Sequence, residues 1–289
     1  MIIPHSGGRH REIAARPHYS LPMNAHQMDS PLLSARAGAV LRLSLNRPAA
    51  RNALSSALMG ALANALEAAA ADTGVRVVIL AAEGRVFSSG HDLKEMTARR
   101  SEADQGAAAF VSLFTQCSGL MQQIVACPKP VIAEVQGTAT AAGCQLVASC
   151  DLAVASSEAR FATPGVDIGL FCSTPMVALS RGIGRKAAME MLLTGEMISA
   201  DEARRLGLVN RVVAPGKLQA ETMALAQKIA AKPRATVRTG KEAFYRQIEM
   251  PLADAYDYAS RVMTENMLNA EAEEGICAFL EKRTPKWPE

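Results

Sequence analysis

Aromatic side chains are scarce in this sequence: seven Phe, four Tyr and one Trp make up 4% of its 289 residues. So thin a supply argues against a platform on which nucleic-acid bases stack. An excess of one charge sign is missing too. The 31 basic and 28 acidic residues leave a net charge of +3, with no Lys/Arg run of five or more, so no nucleic-acid partner is expected. No apolar run reaches the roughly 18 residues of a membrane-spanning helix, so no membrane partner is expected either. The cysteines, Cys117, Cys127, Cys144, Cys150, Cys172 and Cys277, form no C-x-x-C pair and have no His at metal-ligand spacing. They read as reduced, mostly buried thiols. No metal site is expected, and a reducing compartment, taken as the cytoplasm, is.

What is present is an ordinary globular balance, 49% hydrophobic and 20% charged. Such a length suits one main domain with an appendage. Residues 1–29 stand apart. They hold four of the five histidines, several Pro and Gly, and no periodicity. We read them as a disordered extension or an early start codon, with Met23 and Met28 as alternative starts. The other reading is a transit peptide, since Arg9, Arg11 and Arg16 face Glu12 alone; it would place the protein in the mitochondrial matrix.

From Leu32 the pattern is regular. Leu32 to Arg36 and Val40 to Leu45 read as strands. Ser55 is a good N-cap for a helix with Leu58, Leu62 and Leu66 on one face. Strands are expected over Val75 to Ala81, Val131 to Val135 and Leu152 to Ala155. Helices are expected over Asp104 to Val125 and from Ala142 into Cys150. Repeated strand-strand-helix units of this kind argue for an α/β layered fold. The residues after Lys217 read as nearly all helix: Leu218 to Ala231, Arg234 to Gln247, Leu252 to Met267 and Glu273 to Lys282. The expected division is an extension (1–29), a core (30–217) and a helical oligomerisation region (218–289).

Two junctions between strand and helix carry small residues. One is Phe87-Ser88-Ser89-Gly90-His91-Asp92-Leu93-Lys94-Glu95, with a helix expected near His91. The other is Gln136-Gly137-Thr138-Ala139-Thr140-Ala141-Ala142-Gly143-Cys144-Gln145. The first N–H groups of a helix lack intrahelical partners and point outward with the positive end of the dipole. Two such ends converging would bind an oxyanion. Either junction alone could equally be a packing device.

Several motifs together resemble the enoyl-CoA hydratase/isomerase (crotonase) family. They are Leu45-Asn46-Arg47-Pro48 with Arg51-Asn52-Ala53-Leu54, the two junctions, Phe161-Ala162-Thr163-Pro164-Gly165, Leu193-Thr194-Gly195-Glu196, Gly207-Leu208-Val209-Asn210, and Ala278 to Arg283. They run in order from about residue 32 to the end. The resemblance implies a crotonase-like spiral of ββα units with a C-terminal helical trimerisation region. It implies an acyl-CoA or enoyl-CoA substrate, no cofactor beyond the coenzyme A of that thioester, a homotrimer or dimer of trimers, and a place in fatty acid metabolism. The thioester oxygen would lie between the N–H groups of His91 and Ala142. Coenzyme A would lie along Arg51, Asn52, Ala53, Leu54, His91, Asp92, Leu93 and Lys94, with Phe279 and Lys282 reaching in from an adjacent subunit.

The chain departs from the family pattern at the two positions where hydratases keep catalytic glutamates, which here hold Gln145 and Gly165. An amide can orient water but is no general base, and glycine has no side chain. Each positioned acid or base contributes roughly 10²–10⁴-fold, so hydration should be weak. Decarboxylation, isomerisation or thioester cleavage are the alternatives, and a non-catalytic CoA-binding or assembly protein is the reading of another class. The Gly-His-Asp form of the first junction resembles the decarboxylase branch. Restoring both glutamates is expected to raise hydration cooperatively. Cys172 and Ser173 are candidates to reach the cleft. Glu134, Asp151 and Asp167 read as structural, Glu95 and Lys94 as a solvated face, and Gly182-Ile183-Gly184 as a turn.

Overall fold

The structure, a computed structural model, describes residues 30–288; the reading of residues 1–29 falls outside them. The chain opens with an antiparallel pair, β1 (Leu32–Ala37) and β2 (Val40–Leu45), turned at Gly38. Helix α1 (Ser56–Ala71) follows, capped by Ser55, whose Oγ accepts from Leu58 N at 3.3 Å. Its Leu58, Leu62 and Leu66 are buried, as their spacing requires.

Three turns of a spiral come next. The first runs β3 (Val77–Ala82), β4 (Val86–Ser88), α2 (Leu93–Arg99) and α3 (Ala107–Ala126). The second runs β5 (Val131–Val135), β6 (Thr138–Thr140) and α4 (Ala142–Ser149). The third runs β7 (Leu152–Ser156), β8 (Arg160–Ala162), a 3₁₀ turn (Pro164–Ile168), α5 (Pro175–Gly182) and α6 (Arg185–Thr194). In each turn the first strand joins one sheet and the second joins another. The larger sheet has the order β1-β2-β3-β5-β7-β10, and the smaller β4-β6-β8-β9. Strand β9 (Ile198–Ser199), α7 (Ala200–Leu206) and β10 (Arg211–Val213) close both sheets. The expected fold class, an α/β spiral of ββα units, is the one observed.

Strand β3 lies between β2 and β5 and is buried at all six positions, as a central strand in a parallel region should be. Its two faces serve different cores. Val78, Leu80 and Ala82 join the main cluster with α1, α3 and α4, whereas Val77, Ile79 and Ala81 meet α8 (Leu218–Ala230) through Leu225 and Ala226. Helix α8, grouped above with the helical region, therefore packs on the core sheet. Beyond it lie α9 (Arg234–Gln247), α10 (Leu252–Met267) and α11 (Ala270–Leu280). Lys241 of α9 pins this region to the core. Its Nζ donates to the carbonyls of Ile124 (3.1 Å) and Lys129 (3.0 Å) and to Asp151 Oδ2 (2.7 Å).

Some boundaries moved for local reasons. Helix α3 starts at Ala107, not Asp104, because the Asp104 carboxylate accepts from Gly106 N and Ala108 N (2.9 Å each) and turns the chain first. Strand β3 starts at Val77, because Val75 N–H closes a turn on the Asp72 carbonyl at 3.2 Å. Helix α11 starts at Ala270 under an Asn269 cap and ends at Leu280, short of Lys282.

Candidate functional site

The first junction is zipped to the segment before α1. Leu54 N donates to the Gly90 carbonyl (2.7 Å), and Asp92 N donates to the Leu54 carbonyl (3.3 Å). Leu54 and His91 thus form an isolated parallel bridge. In such a bridge the two residues flanking His91 bond to Leu54, so the N–H of His91 itself points the other way. The helix expected near His91 is present two residues on. It begins at Leu93, because the Asp92 carboxylate accepts from Lys94 N and Glu95 N and serves as the cap. Burial alone would raise the pKa of Asp92, but Arg47, 2.9 Å away, and these N–H groups hold it below the usual carboxylate value.

The second junction meets the first backbone to backbone. A Cβ placed on Gly90 (φ +90°) would lie 2.9 Å from Ala141 Cβ and 3.2 Å from Ala142 N. One on Gly143 would collide with the Ser88 carbonyl. Only residues this small allow the loops to touch. Ala141 itself adopts φ 50°, ψ −121°, a conformation strained for any residue with a side chain. Its N–H donates to the Ala162 carbonyl at 3.0 Å, which leaves Ala142 as the first residue of α4. The leading N–H groups of α4 therefore emerge beside Gly90 and His91.

Side chains around this meeting point are mostly apolar or committed elsewhere. The His91 ring stacks edge-on to Phe114, with centroids 5.5 Å apart. Neither of its buried nitrogens makes a hydrogen bond. Burial pushes its pKa below the usual histidine value, and the nearby Leu54 carbonyl and Glu95 only partly oppose this. Gln145 is buried, with Oε1 4.0 Å from Cys117 Sγ. Burial pushes the Cys117 thiol up to about 11 and Cys144 up to about 12. Cys172, a candidate to reach the cleft, is also buried and raised by burial, which argues against a nucleophilic role, since a reactive cysteine needs a lowered pKa.

Gly165 is not merely without a side chain; there is no room for one. A Cβ there would run into the Leu170 carbonyl and sit 2.9 Å from Cys172 Sγ. The expectation that a glutamate could be restored at this position fails for that reason.

Of the residues expected along coenzyme A, Arg51, Leu93 and Lys94 expose their side chains. Leu54 is fully buried and Ala53 nearly so. Asn52 is a structural pin, with its side chain closed off. Its Oδ1 accepts from Arg47 N (2.8 Å), and its Nδ2 donates to the carbonyls of Glu83 (2.8 Å) and Val86 (2.7 Å). Phe279 is 81% exposed on α11, and Lys282 is in solvent just after it. Glu95 is not part of a solvated face. It accepts from Ser56 N (3.1 Å) and Ser56 Oγ (2.5 Å), tying α2 to the start of α1. Sequence reasoning also missed Phe114, which only the fold brings to His91. Glu134 pairs with Arg42 at 2.7 Å and Asp151 with Lys241 at 2.7 Å, both structural as read. Among the described residues no cluster of three potential metal ligands occurs, and no helix is long and apolar enough to cross a membrane.

A family profile described as enoyl-CoA hydratase/isomerase matches residues 35–289. The chain belongs to the enoyl-CoA hydratase/isomerase family. It is 48% identical over 266 residues to human enoyl-CoA hydratase domain-containing protein 3, mitochondrial, covering 92% of this chain and 83% of that one. The crystal structure of that human protein superposes with a TM-score of 0.85 over 89% of this chain and 100% of the other. A crystal structure of an enoyl-CoA hydratase from Mycobacterium smegmatis is 55% identical, with a TM-score of 0.85, covering 89% of this chain and 98% of that chain. The 2,3-dehydroadipyl-CoA hydratase of Escherichia coli is 38% identical over 258 residues, 89% of this chain and 98% of its own. The family acts on acyl-CoA substrates. The vertebrate relatives are mitochondrial by name, which gives the expected cytoplasmic location no support.

Proposed function

We propose that this family member processes acyl-CoA thioesters by holding the thioester oxygen between the N–H groups of His91 and Ala142, without the two-glutamate hydration chemistry. The observation that carries the reading is the contact between the junctions, where a Cβ on Gly90 would lie 3.2 Å from Ala142 N. Negative charge developing on the oxygen as an enolate forms would meet two outward N–H groups and the positive end of α4. Fixed donors of this kind need no reorganisation as the charge grows. Gln145 and Gly165 supply neither a general acid nor a base, and the His91 ring is biased toward its neutral form. These residues suit a reaction that makes the enolate without a base. In loss of CO₂ from a thioester that carries a carboxylate on its α-carbon, the electron pair of the breaking C–C bond passes into the thioester as an enolate, CO₂ leaves, and water protonates the α-carbon.

Coenzyme A would lie along Arg51 to Leu54 and His91 to Lys94, with Phe279 and Lys282 supplied across a subunit boundary. Supporting a homotrimer or dimer of trimers, Met263, Met267, Phe279 and Leu280 are each more than half exposed in the single chain, a large apolar surface for a monomer. Light scattering at micromolar concentration should give the mass of a trimer or a multiple of it; a monomer would refute this.

The test of activity is incubation with crotonyl-, malonyl-, methylmalonyl- and longer enoyl-CoAs, followed by product masses. The expected result is CO₂ loss from a carboxylated ester and very slow gain of water by crotonyl-CoA. Hydration of crotonyl-CoA at roughly 10 per second or faster would overturn the proposal. Tight binding of every ester with no product from any would favour a non-catalytic CoA-binding protein instead.

A further inference from the structure

Far from the junctions, a concavity of about 630 Å³ opens between the core and the C-terminal helices. It lies at the N-terminal ends of β3 and β5, beside Arg76 and Pro130, whereas the junctions lie beyond the C-terminal ends of these strands. Four cations line it: Arg76, Lys129, Arg234 and Arg238. Glu271 is the carboxylate in the lining, and it is already engaged. It accepts from Ala235 N (2.9 Å), Thr236 N (2.8 Å) and Thr236 Oγ1 (3.0 Å), closing the N-terminus of α9. Asp72, close by, is held by Arg36 at 2.8 Å.

Lys129 is the informative residue. It is only 5% exposed, yet its ammonium has no hydrogen-bond or ion-pair partner among the described residues. Burial, followed by the guanidinium groups of Arg234 and Arg76, lowers its affinity for its proton. Its stem is buried but the ammonium keeps contact with solvent; Arg234 and Arg76 make the field around it positive, with Asp72 partly opposing them, so an anion there would be attracted. Lysine stems often lie along apolar surface with the head in water; here the residue also lines a cavity shared with three guanidinium groups. One of these, Arg76, donates to the Lys232 carbonyl through a single nitrogen and has other N–H groups to offer. Trp287, fixed by its Nε1 donating to the Ala231 carbonyl at 3.1 Å, forms part of the wall.

We propose that this cavity binds a phosphate-bearing small molecule, with the phosphate dianion seated against Lys129 and enclosed by Arg76, Arg234 and Arg238. Two negative charges and three acceptor oxygens suit several converging cationic donors better than one carboxylate does. The site is separate from the thioester site, and its occupancy does not depend on which reaction the junctions support.

The test is calorimetric titration of the full-length assembled protein with inorganic phosphate and with pyrophosphate, at matched ionic strength against sodium chloride. Wild type should bind one or both saturably. Lys129→Met should weaken binding about tenfold or more. Arg238→Gln, at an exposed position, should weaken it less and serves if Lys129→Met does not fold. Without the anion, Lys129→Met should melt close to wild type, because the ammonium it removes makes no hydrogen bond or ion pair among the described residues; the rise in Tm that pyrophosphate gives wild type should disappear. Crotonyl-CoA affinity should be the same in all three proteins. Preference for pyrophosphate over phosphate would point to a diphosphate ligand, and the reverse to a monoester. Absence of saturable heat with wild type, or equal affinity in all three proteins, would overturn the proposal.

Discussion

The three strand-to-helix junctions of the spiral use the same ingredient for opposite ends. After β4 and β6, Gly90, Ala141, Ala142 and Gly143 let two loops touch, and polar backbone is left facing outward. After β8, Gly165 lets the chain fold back so that the Leu170 carbonyl fills the space where a side chain would begin; Leu170 N–H returns to the Gly165 carbonyl at 2.8 Å. On the proposed reading the first two junctions present N–H groups, while the third is closed by the Leu170 carbonyl. What remains of the candidate site is made of main chain, which tolerates many substitutions. What is missing is made of side chains.

The most severe way to break this contrast is Gly165→Glu. It forces a Cβ into the Leu170 carbonyl and a carboxylate into a buried turn. We expect a loss of more than about 4 kcal/mol, because overpacking and an unpaired charge act together. Urea unfolding measures it. Gln145→Glu with Gly165→Glu should therefore fail to restore hydration for lack of a folded site. A well-folded double variant that hydrates crotonyl-CoA would show that the third junction can open. The next largest effect is on the first junction. His91→Pro removes the outward N–H and should cost about 2.7–4 kcal/mol of transition-state stabilisation, whereas His91→Ala should retain most activity. Steady-state kcat/KM on the ester turned over, with thermal melts of both variants, checks this; equal large losses would show the imidazole to be chemical.

A smaller effect is expected from Asn52→Ala, since Asn52 holds the β2–α1 loop on which the first junction is zipped. Its buried amide makes three hydrogen bonds from a residue with φ 51°. Orphaning those groups should destabilise the fold by about 2–3 kcal/mol. A Tm unchanged from wild type would show that the loop is held by other means. This residue also marks where sequence reading stops. The motif around it was legible, and coenzyme A was expected against it, but its partners at Glu83 and Val86 are some 30 positions away in the chain. Elements with strong local signals were read closely: β5 and α10 match to the residue, and Ser55 caps α1 as expected. Strands of three residues such as β4, β6 and β8 are too short to show a period. The ring contact at His91 and the tie from Glu95 to Ser56 are made by distant segments, so no spacing announces them; the collision at Gly165 is local, but it depends on a fold-back to Leu170 that has no period to show it.

The smallest expected effect tests whether the ring at the first junction sits in an apolar setting. His91 is the one histidine among the described residues, and burial lowers its pKa from 6.5. The unfolded chain thus binds this proton more tightly than the folded one, so in the window between the two pKa values stability rises with pH. The contribution is fully present above 6.5 and is lost as pH falls through the folded-state value. One proton limits the slope to about 1.4 kcal/mol per pH unit. His91→Gln removes the titration. The difference in unfolding free energy between wild type and variant should therefore be flat above about pH 7 and turn against wild type toward about pH 5. Taking the difference cancels groups common to both proteins, including the four histidines before residue 30. Parallel profiles across that range would mean that water reaches the ring. A charged imidazole would then be available beside the proposed thioester oxygen, and the division of labour between outward backbone and inert side chain would have to be abandoned at this junction.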